Sequence, residues 1–483
     1  MEKKFPPLWE HQRNAIELSQ QMPELALFFE MGTGKTRTTI DILRHRYAAS
    51  GRILKTLIVC PKIILQNWKD EFLKYSRVSE RDIVVLTGSG EKRCKLLVEA
   101  ARGNGLTIDK PKIFITNYEA FDEKLAKLYD LFWEYGFEAM VADEAHYIKN
   151  PESKRARRLV KLSDTVKNKY ALTGTPILNS AMDIFMIFRF LDGGKTFGQN
   201  FWAFRSKWFE DENARFAGKQ GYYPKFIPRP ETYEAFTNLI YRKALRALKK
   251  DCLDLPPLVE ETINIELSKE QRKLYEEMKK QYVAYIDDLK GEGKPRAVVA
   301  QLAITKALRL MQILTGYCKT DEGEIYRIKE NPRLDALEEL LQLHSPSHKI
   351  IVWSIYHENY TDIAEVCRRN GIGYAELHGG IRDKDEQMRR FRADPKCRVM
   401  IANQRAAGIG VNLVESDLSI YYSKNFSWGQ DEQSESRNYR GGSEIHEKVT
   451  RIDLTVKGTM DELIAEALAN KQNISERILD WRG

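Results

Sequence analysis

The sequence predicts an α/β protein built on two parallel sheets of similar size, joined by helical material. Three observations carry that expectation. Short apolar runs alternate with helical patterns over residues 25–176. A second such series begins near residue 331. Between them the chain turns aromatic and helix-rich. Strands that alternate with helices form parallel sheets, because each crossover returns the chain to the same edge. Binding residues then belong at the carboxyl ends of the strands.

In the first series LALFFE (25–30) is a strand entering a Gly-rich turn and the helix TTIDILRHRYAA. TLIVCP (56–61) is a second buried strand, followed by the helical pattern LQNWKDEFLKYS. DIVVLTG (82–88), KIFITN (112–117), AMVADE (139–144) and YALTGTP (170–176) complete it. Residues 181–250 are expected to form a mostly helical appendage, ending in a basic helix, YRKALRALKK. LPPLVEETINIELS (255–268) reads as an extended connector, and 269–316 as helices broken by the loop GEGKPR at 291–296. The second series is KIIVWS (349–354), the helix TDIAEVCRRNG, YAELHG (374–379), RVMIANQ (398–404) and LSIYYS (418–423). The expected division is a first lobe over 1–250, its appendage at about 181–250, and a second lobe over 251–483, its connector and helical insertion at about 251–330.

A chain of 483 residues has room for several domains and needs no disulfide or metal staple for its cores. Hydrophobic content of 42% with 30% charged residues excludes a disordered chain. Lys plus Arg number 77 against 69 Asp plus Glu, and this net +8 alone is a solubility feature. What matters is whether cations cluster beside functional motifs. The cysteines, Cys60, Cys94, Cys252, Cys318, Cys367 and Cys397, form no C-x-x-C pair and lack zinc spacing, so reduced intracellular thiols are expected. MEKKFPPLWEHQ lacks the apolar run of a signal peptide, and no stretch is apolar and long enough to span a bilayer. The expectation is a cytoplasmic protein, prokaryotic or from a virus in its host's cytoplasm, with no membrane partner.

EMGTGKT (30–36) follows a strand and opens a helix, the setting of a phosphate-binding loop. Met31, Gly32, Thr33 and Gly34 would line it, the glycines allowing a tight turn that aims N–H groups at phosphates. Lys35 should reach the β- and γ-phosphates of ATP, and the Thr36 hydroxyl should ligate Mg²⁺. The helix N-terminus adds a favourable dipole. The full G-x-x-x-x-G-K-[ST] pattern is not met, because Phe29 holds its first glycine position. AMVADEAH ends a strand with Asp143, able to hold Mg²⁺ directly or through water, and Glu144, able to orient and deprotonate the attacking water. Each motif alone has a bland reading, a chance Gly-rich turn or a surface loop. Together, with α/β sequence between them, they point to ATP hydrolysis.

EMGTGKT, DEAH and LTGTP (172–176) resemble, in that order, the motif series of superfamily-two helicases. LWEHQRNAI (8–16) looks like the adenine-recognition segment, with Gln12 reading the base. CPKIILQNWKDEF (60–72), DEAHYIKNPESKRARR (143–158) and LPPLVEETINIELSKEQRKLYEEM (255–278) are similar to Swi/Snf-type elements. RAAGIGVNL (405–413) and QSESRNYR (433–440) look like that family's fifth and sixth motifs. The resemblance covers nearly the whole chain and implies two RecA-like lobes with ATP in the cleft between them. The sequence departs from the family at Phe28 and Phe29, at Gln404 where a hydroxyl is common, at Ser436 where an acid is usual, and in R-G-G-S after motif six.

Arg437 and Arg440, three residues apart, are expected to share a helix face and act as arginine fingers on the γ-phosphate. A solvated basic helix face is their plain alternative. Gln433 would complete the sensor, and Gly410 and Asn412 would approach ATP and the nucleic-acid backbone. Closure of the cleft on ATP and its reopening would be the mechanical step. Candidate track contacts are Lys62, Thr116, Asn117, Lys149, the run Lys154, Arg155, Arg157 and Arg158, and the glycine turn Gly379–Gly380. An ordinary charged surface is the alternative for the run. The expected function is a DNA-dependent ATPase, a double-stranded DNA translocase or remodeller, with duplex DNA as partner and a monomeric motor. The alternatives are a strand-separating helicase and a nucleotide-controlled binding protein without turnover. The sequence names no protein partner.

Overall fold

The chain divides into two units, Met1–Leu253 and Asp254–Gly483. The computed structural model describes residues 5–102, 112–174, 181–217, 224, 226–252, 254–291, 306–319, 324–404 and 411–469.

Unit 1 is built on seven parallel strands: β1 (Glu24–Phe29), β2 (Thr56–Cys60), β3 (Ile83–Val85), β4 (Ile113–Asn117), β5 (Ala139–Asp143), β6 (Asn168–Leu172) and β7 (Ala244–Ala247). Their order is β3-β4-β2-β5-β6-β1-β7. Five of them, β1, β2, β4, β5 and β6, are buried at every position. Helices cover both faces of such a sheet, so these strands show as unbroken apolar runs. Register aligns their ends: Asp143 lies opposite Leu172, and Leu172 opposite Leu27. The loop after β1 and the acidic end of β5 therefore emerge at one edge. Three helices serve that edge: α1 (Glu10–Gln21), α2 (Lys35–Ser50) and α3 (Leu65–Tyr75).

The appendage differs from its expected form. Helices Ile184–Asp192, Phe201–Trp208 and Tyr233–Tyr241 are present, cemented by Phe185, Phe197, Phe204, Trp208 and Phe236. A short antiparallel pair, Phe209–Asp211 with Phe226–Pro228, lies between them. YRKALRALKK is not one helix. Its centre is β7, parallel to β1 with Ala26 opposite Ala244 and Phe29 opposite Ala247. The reason is backbone satisfaction. The outer edge of β1 carries N–H groups that need acceptors. Ala26 N–H donates to Lys243 O at 2.8 Å and Glu30 N–H to Ala247 O at 2.9 Å. The Lys243 ammonium holds Glu24 at 2.6 Å and the fully buried Asp192 carboxylate at 3.2 Å.

Unit 2 carries six parallel strands: β8 (Leu258–Asn264), β9 (Ile350–Trp353), β10 (Gly373–Leu377), β11 (Cys397–Ala402), β12 (Leu418–Tyr421) and β13 (Val449–Thr455). The order is β8-β13-β12-β9-β11-β10. The extended connector is edge strand β8, paired with β13, a strand the sequence reading passed over. Alternate residues serve opposite faces. Ile350, Val352, Leu418 and Ile420 enter one core, while Ile351, Trp353 and Tyr421 enter the other. Residues 306–314 are helical, whereas most of GEGKPR lies outside the described residues. The α/β class with two parallel sheets and helical insertions holds in both units. Among the described residues no helix is long and apolar enough to cross a membrane.

Lys243→Met leaves Asp192 buried without its cation. It should destabilise unit 1 by roughly 3–5 kcal/mol. Urea denaturation followed by tryptophan fluorescence checks this, and an unchanged midpoint would show that the ammonium does not hold β7.

Candidate active site

The loop after β1 turns through Gly32 (φ 86°) and Gly34 (φ 85°), left-handed conformations that a side chain would strain. A Cβ on Gly34 would also meet Gln12 Nε2 at 2.2 Å, so Gln12 lies directly against the loop. Gln12 is buried, and its Oε1 accepts from Trp9 N–H at 2.9 Å. Lys35 Nζ donates to the Phe29 carbonyl at 2.9 Å. His11 Nε2 donates to the Thr33 carbonyl at 2.8 Å, and its ring stands edge-on to Phe29 at 5.0 Å. Phe29, the residue that breaks the full motif, is thus a wall behind the loop. Burial lowers the His11 pKa, opposed by its bond to the Thr33 carbonyl. Thr36 is half-buried in the first turn of α2.

Asp143 closes β5 and is buried. Its Oδ2 accepts from Trp68 Nε1 at 2.8 Å, and its Oδ1 from Glu144 N–H at 2.9 Å. Its main-chain carbonyl accepts from Tyr118 O–H at 2.7 Å. Burial first, then the Glu144 carboxylate, pushes Asp143 above the usual carboxylate range, against the pull of Lys35 and Trp68. Glu144 has φ 53°, alone among the described non-glycine residues in being positive, a sparsely populated conformation of the kind held at functional sites. Glu144 Oε2 lies 3.3 Å from His146 Nδ1, which is 3.4 Å from Thr173 Oγ1. A Cβ on Gly174 would meet Phe29 O at 3.3 Å and Met31 N at 3.4 Å, so the LTG segment runs against the loop. Thr175 and Pro176 lie outside the described residues.

These donors fit Mg²⁺. A carboxyl pushed up by burial and a like charge regains its charge when a cation arrives. No cluster of three or more His, Cys, Asp or Glu side chains able to hold a metal occurs among the described residues. Mg²⁺ commonly takes one or two protein oxygens together with substrate phosphates. Thr36 and Asp143 would be its protein ligands. Trp68 and Tyr118, which orient Asp143, had no role in the sequence reading.

In unit 2, Gln433 is half-buried on α4 (Trp428–Glu435). Arg437 and Arg440 do not share a helix face, because α4 ends at Glu435. The Ser434 and Ser436 hydroxyls bond back to Asp431 O and Glu432 O, and Arg437 N–H tightens onto Ser434 O at 3.1 Å. Such back-bonding competes with helix continuation. Arg437 is buried with one guanidinium N–H on Val411 O at 3.3 Å, while Arg440 is half-buried in the following bend. Asn412 folds into a local turn, its Oδ1 accepting from Val414 N–H at 3.2 Å. Gly410 lies outside the described residues. Gln404, a departure from the family pattern, is buried and bonds Asp431 at 3.3 Å, Ser434 at 3.2 Å and Asn425 N–H at 2.9 Å.

The expected track contacts are placed less favourably. Lys62 is exposed in the 3₁₀ turn Lys62–Ile64 that leads into α3. Thr116 and Asn117 are buried, Asn117 accepting from Arg93 at 2.7 Å, so their side chains do not face solvent. The expectation that they touch a track directly is corrected by that burial. Nor is the basic run an open cationic patch. Lys149 pairs with Asp183 at 3.2 Å, Lys154 with Glu123 at 3.1 Å and Arg155 with Asp122 at 2.6 Å. Arg157 donates to Glu152 O, and Arg158 to Asp122 O while stacking on Tyr129 at 4.2 Å. Gly379 and Gly380 form an exposed turn after β10, where Gly380 N–H already bonds His378 Nδ1 at 3.3 Å.

Residues 11–321 match the SNF2-related domain, and residues 332–442 the helicase conserved C-terminal domain. The chain belongs to the SNF2-related family. Membership implies use and hydrolysis of ATP, generally with Mg²⁺. Similar proteins include the CHD3-type chromatin-remodeling factor PICKLE of Arabidopsis thaliana, 24% identical over 93% of this chain and 32% of that protein. Another is the ATP-dependent helicase brm of Drosophila melanogaster, 26% identical over 93% of this chain and 27% of that protein. The chain thus spans about a third or less of the length of these relatives. Among solved structures, the Sulfolobus solfataricus SWI2/SNF2 ATPase core in complex with dsDNA is similar at 22% identity, covering 99% of this chain and 95% of that one, with a TM-score of 0.43.

For this SNF2-related chain, Lys35→Ala should abolish measurable nucleotide binding. Glu144→Gln should keep binding and slow hydrolysis by about 10²–10⁴-fold. Fluorescent-nucleotide titration and phosphate release measure the two effects, and normal turnover in Glu144→Gln would sink its assignment as base.

Proposed function

We propose that this SNF2-related chain is a DNA-dependent ATPase that moves along duplex DNA. The observation that carries the ATPase half is the pairing of buried Asp143 with half-buried Glu144 at the sheet edge that also carries the Lys35 loop. Lys35 offsets the charge of the β- and γ-phosphates. Gln12, packed against Gly34, is positioned to read the base. Glu144, held by its backbone and by His146, orients water and takes its proton. When bound, Mg²⁺ supplies charge neutralisation across the phosphates.

Arg437 and Arg440 complete the reaction as cations directed at the γ-phosphate. Relatives named as chromatin-remodelling factors support a duplex track. So does exposed Lys62, at the carboxyl end of β2 beside the site. Contact with the sugar-phosphate backbone makes binding salt-sensitive and weakly sequence-specific.

ATPase rate is measured with duplex DNA, single-stranded DNA, forks and RNA, alongside triplex displacement and fork unwinding. Stimulation by duplex with triplex displacement and no unwinding is the expected result. Efficient unwinding would replace the translocase by a strand-separating helicase, and background turnover with every nucleic acid would reduce the chain to a nucleotide-controlled binder. Arg437→Ala should cut stimulated turnover about 10³-fold or more while ATP still binds.

A further inference from the structure

The geometry points to Trp68 as a positioning residue for the metal-bearing carboxylate of Asp143. This inference rests on the reading of Thr36 and Asp143 as the protein ligands of Mg²⁺. Trp68 is fully buried, and its indole N–H meets Asp143 Oδ2 at 2.8 Å. An indole nitrogen only donates, so this bond has one direction and cannot invert. The ring itself cannot follow a rotating carboxylate. Leu65, Trp68 and Phe72 form the buried face of α3, and Trp68 tilts against Phe72 at 5.9 Å.

The second carboxylate oxygen is held independently, by the N–H of Glu144 at 2.9 Å. Two donors on two different oxygens fix the plane of the group. Each oxygen keeps a lone pair, so the carboxylate remains able to bind a cation in one orientation only. The Tyr118 hydroxyl, on the main-chain carbonyl of the same residue at 2.7 Å, fixes the backbone from which that plane is set. Supporting donors of this kind tune metal affinity by orienting the ligand. Trp68 would therefore act on metal-dependent nucleotide binding without touching nucleotide or metal.

The test is a titration of the full chain with ribose-labelled fluorescent ADP, in excess EDTA and across a Mg²⁺ series. Trp68→Phe keeps the ring and removes the N–H. It should raise the Mg²⁺ concentration needed for half-maximal affinity by about tenfold or more, with the affinity in EDTA unchanged. An equal loss in EDTA and in Mg²⁺ marks a merely structural role and overturns the inference. So does a Mg²⁺ dependence identical to that of the parent. If Trp68→Phe lowers the melting temperature, Trp68→Leu, which is apolar and likewise lacks a donor, is read by the same two titrations. Lys35→Ala is run beside them. If it binds labelled ADP normally in both conditions, the nucleotide-site reading fails, and this inference falls with it.

Discussion

A carboxylate buried at the end of a parallel strand is the constraint around which unit 1 is arranged. Asp143 is drawn out of water by the sheet, and an ionised carboxyl without partners would be costly there. The chain answers with Trp68 from α3 and the Glu144 backbone on its side-chain oxygens, and Tyr118 on its carbonyl. Lys35, from the helix start after β1, supplies opposing charge. Each donor comes from a different segment. The parallel register brings them to one edge, so the fold and the chemistry share a single cause. The incompletely offset charge is what suits the site to a divalent cation.

The loop shows how a departure from a motif can be absorbed. Phe29 occupies a position where the full phosphate-loop pattern has glycine, yet it is buried and serves as the edge-on partner of His11. His11 in turn holds the Thr33 carbonyl, fixing the loop from outside. Only Gly32 and Gly34, with positive φ, must be glycine for the turn, and both are present. Backbone geometry is conserved here by a different wall of side chains.

What the sequence made legible follows from how local each signal is. Strands buried on both faces, such as β1 and β5, show as continuous apolar runs and were readable. β7 was not, because YRKALRALKK carries charge at helical spacing. Lys243 is there to meet Glu24, 219 residues away in the chain, rather than to solvate a helix. β13 was hidden by buried Arg451 and half-buried Asp453, polar residues with partners on other segments, Asp431 and Lys424. In the site, Lys35, Asp143 and Glu144 were legible from short motifs, whereas Trp68 meets Asp143 across 75 residues. The basic run shows the same dependence on distant partners in reverse. Asp122, which neutralises Arg155, lies 33 residues upstream, and composition near residue 155 gives no sign of it.

Unit 2 meets a related demand with the opposite charge. Arg451 on β13 is buried and held by Asp431 at 2.8 Å, Glu435 at 2.9 Å and Asp453 at 3.2 Å, with its guanidinium over Tyr421 at 4.1 Å. Asp431 and Glu435 are one turn apart on α4, so a single cation pins that helix to the sheet. Gln404 binds the same Asp431 from the end of β11 and also reaches Ser434. A hydroxyl at position 404 is too short to span two partners on α4 and accept from Asn425 as well. The glutamine is therefore matched to the short, serine-bearing α4 of this chain. The early end of α4 that leaves Arg437 in a turn is part of the same local design. Anchoring of α4 up to Glu435 thus gives way to an irregular segment in which the Arg437 guanidinium keeps Val411 O as one partner among its five donors.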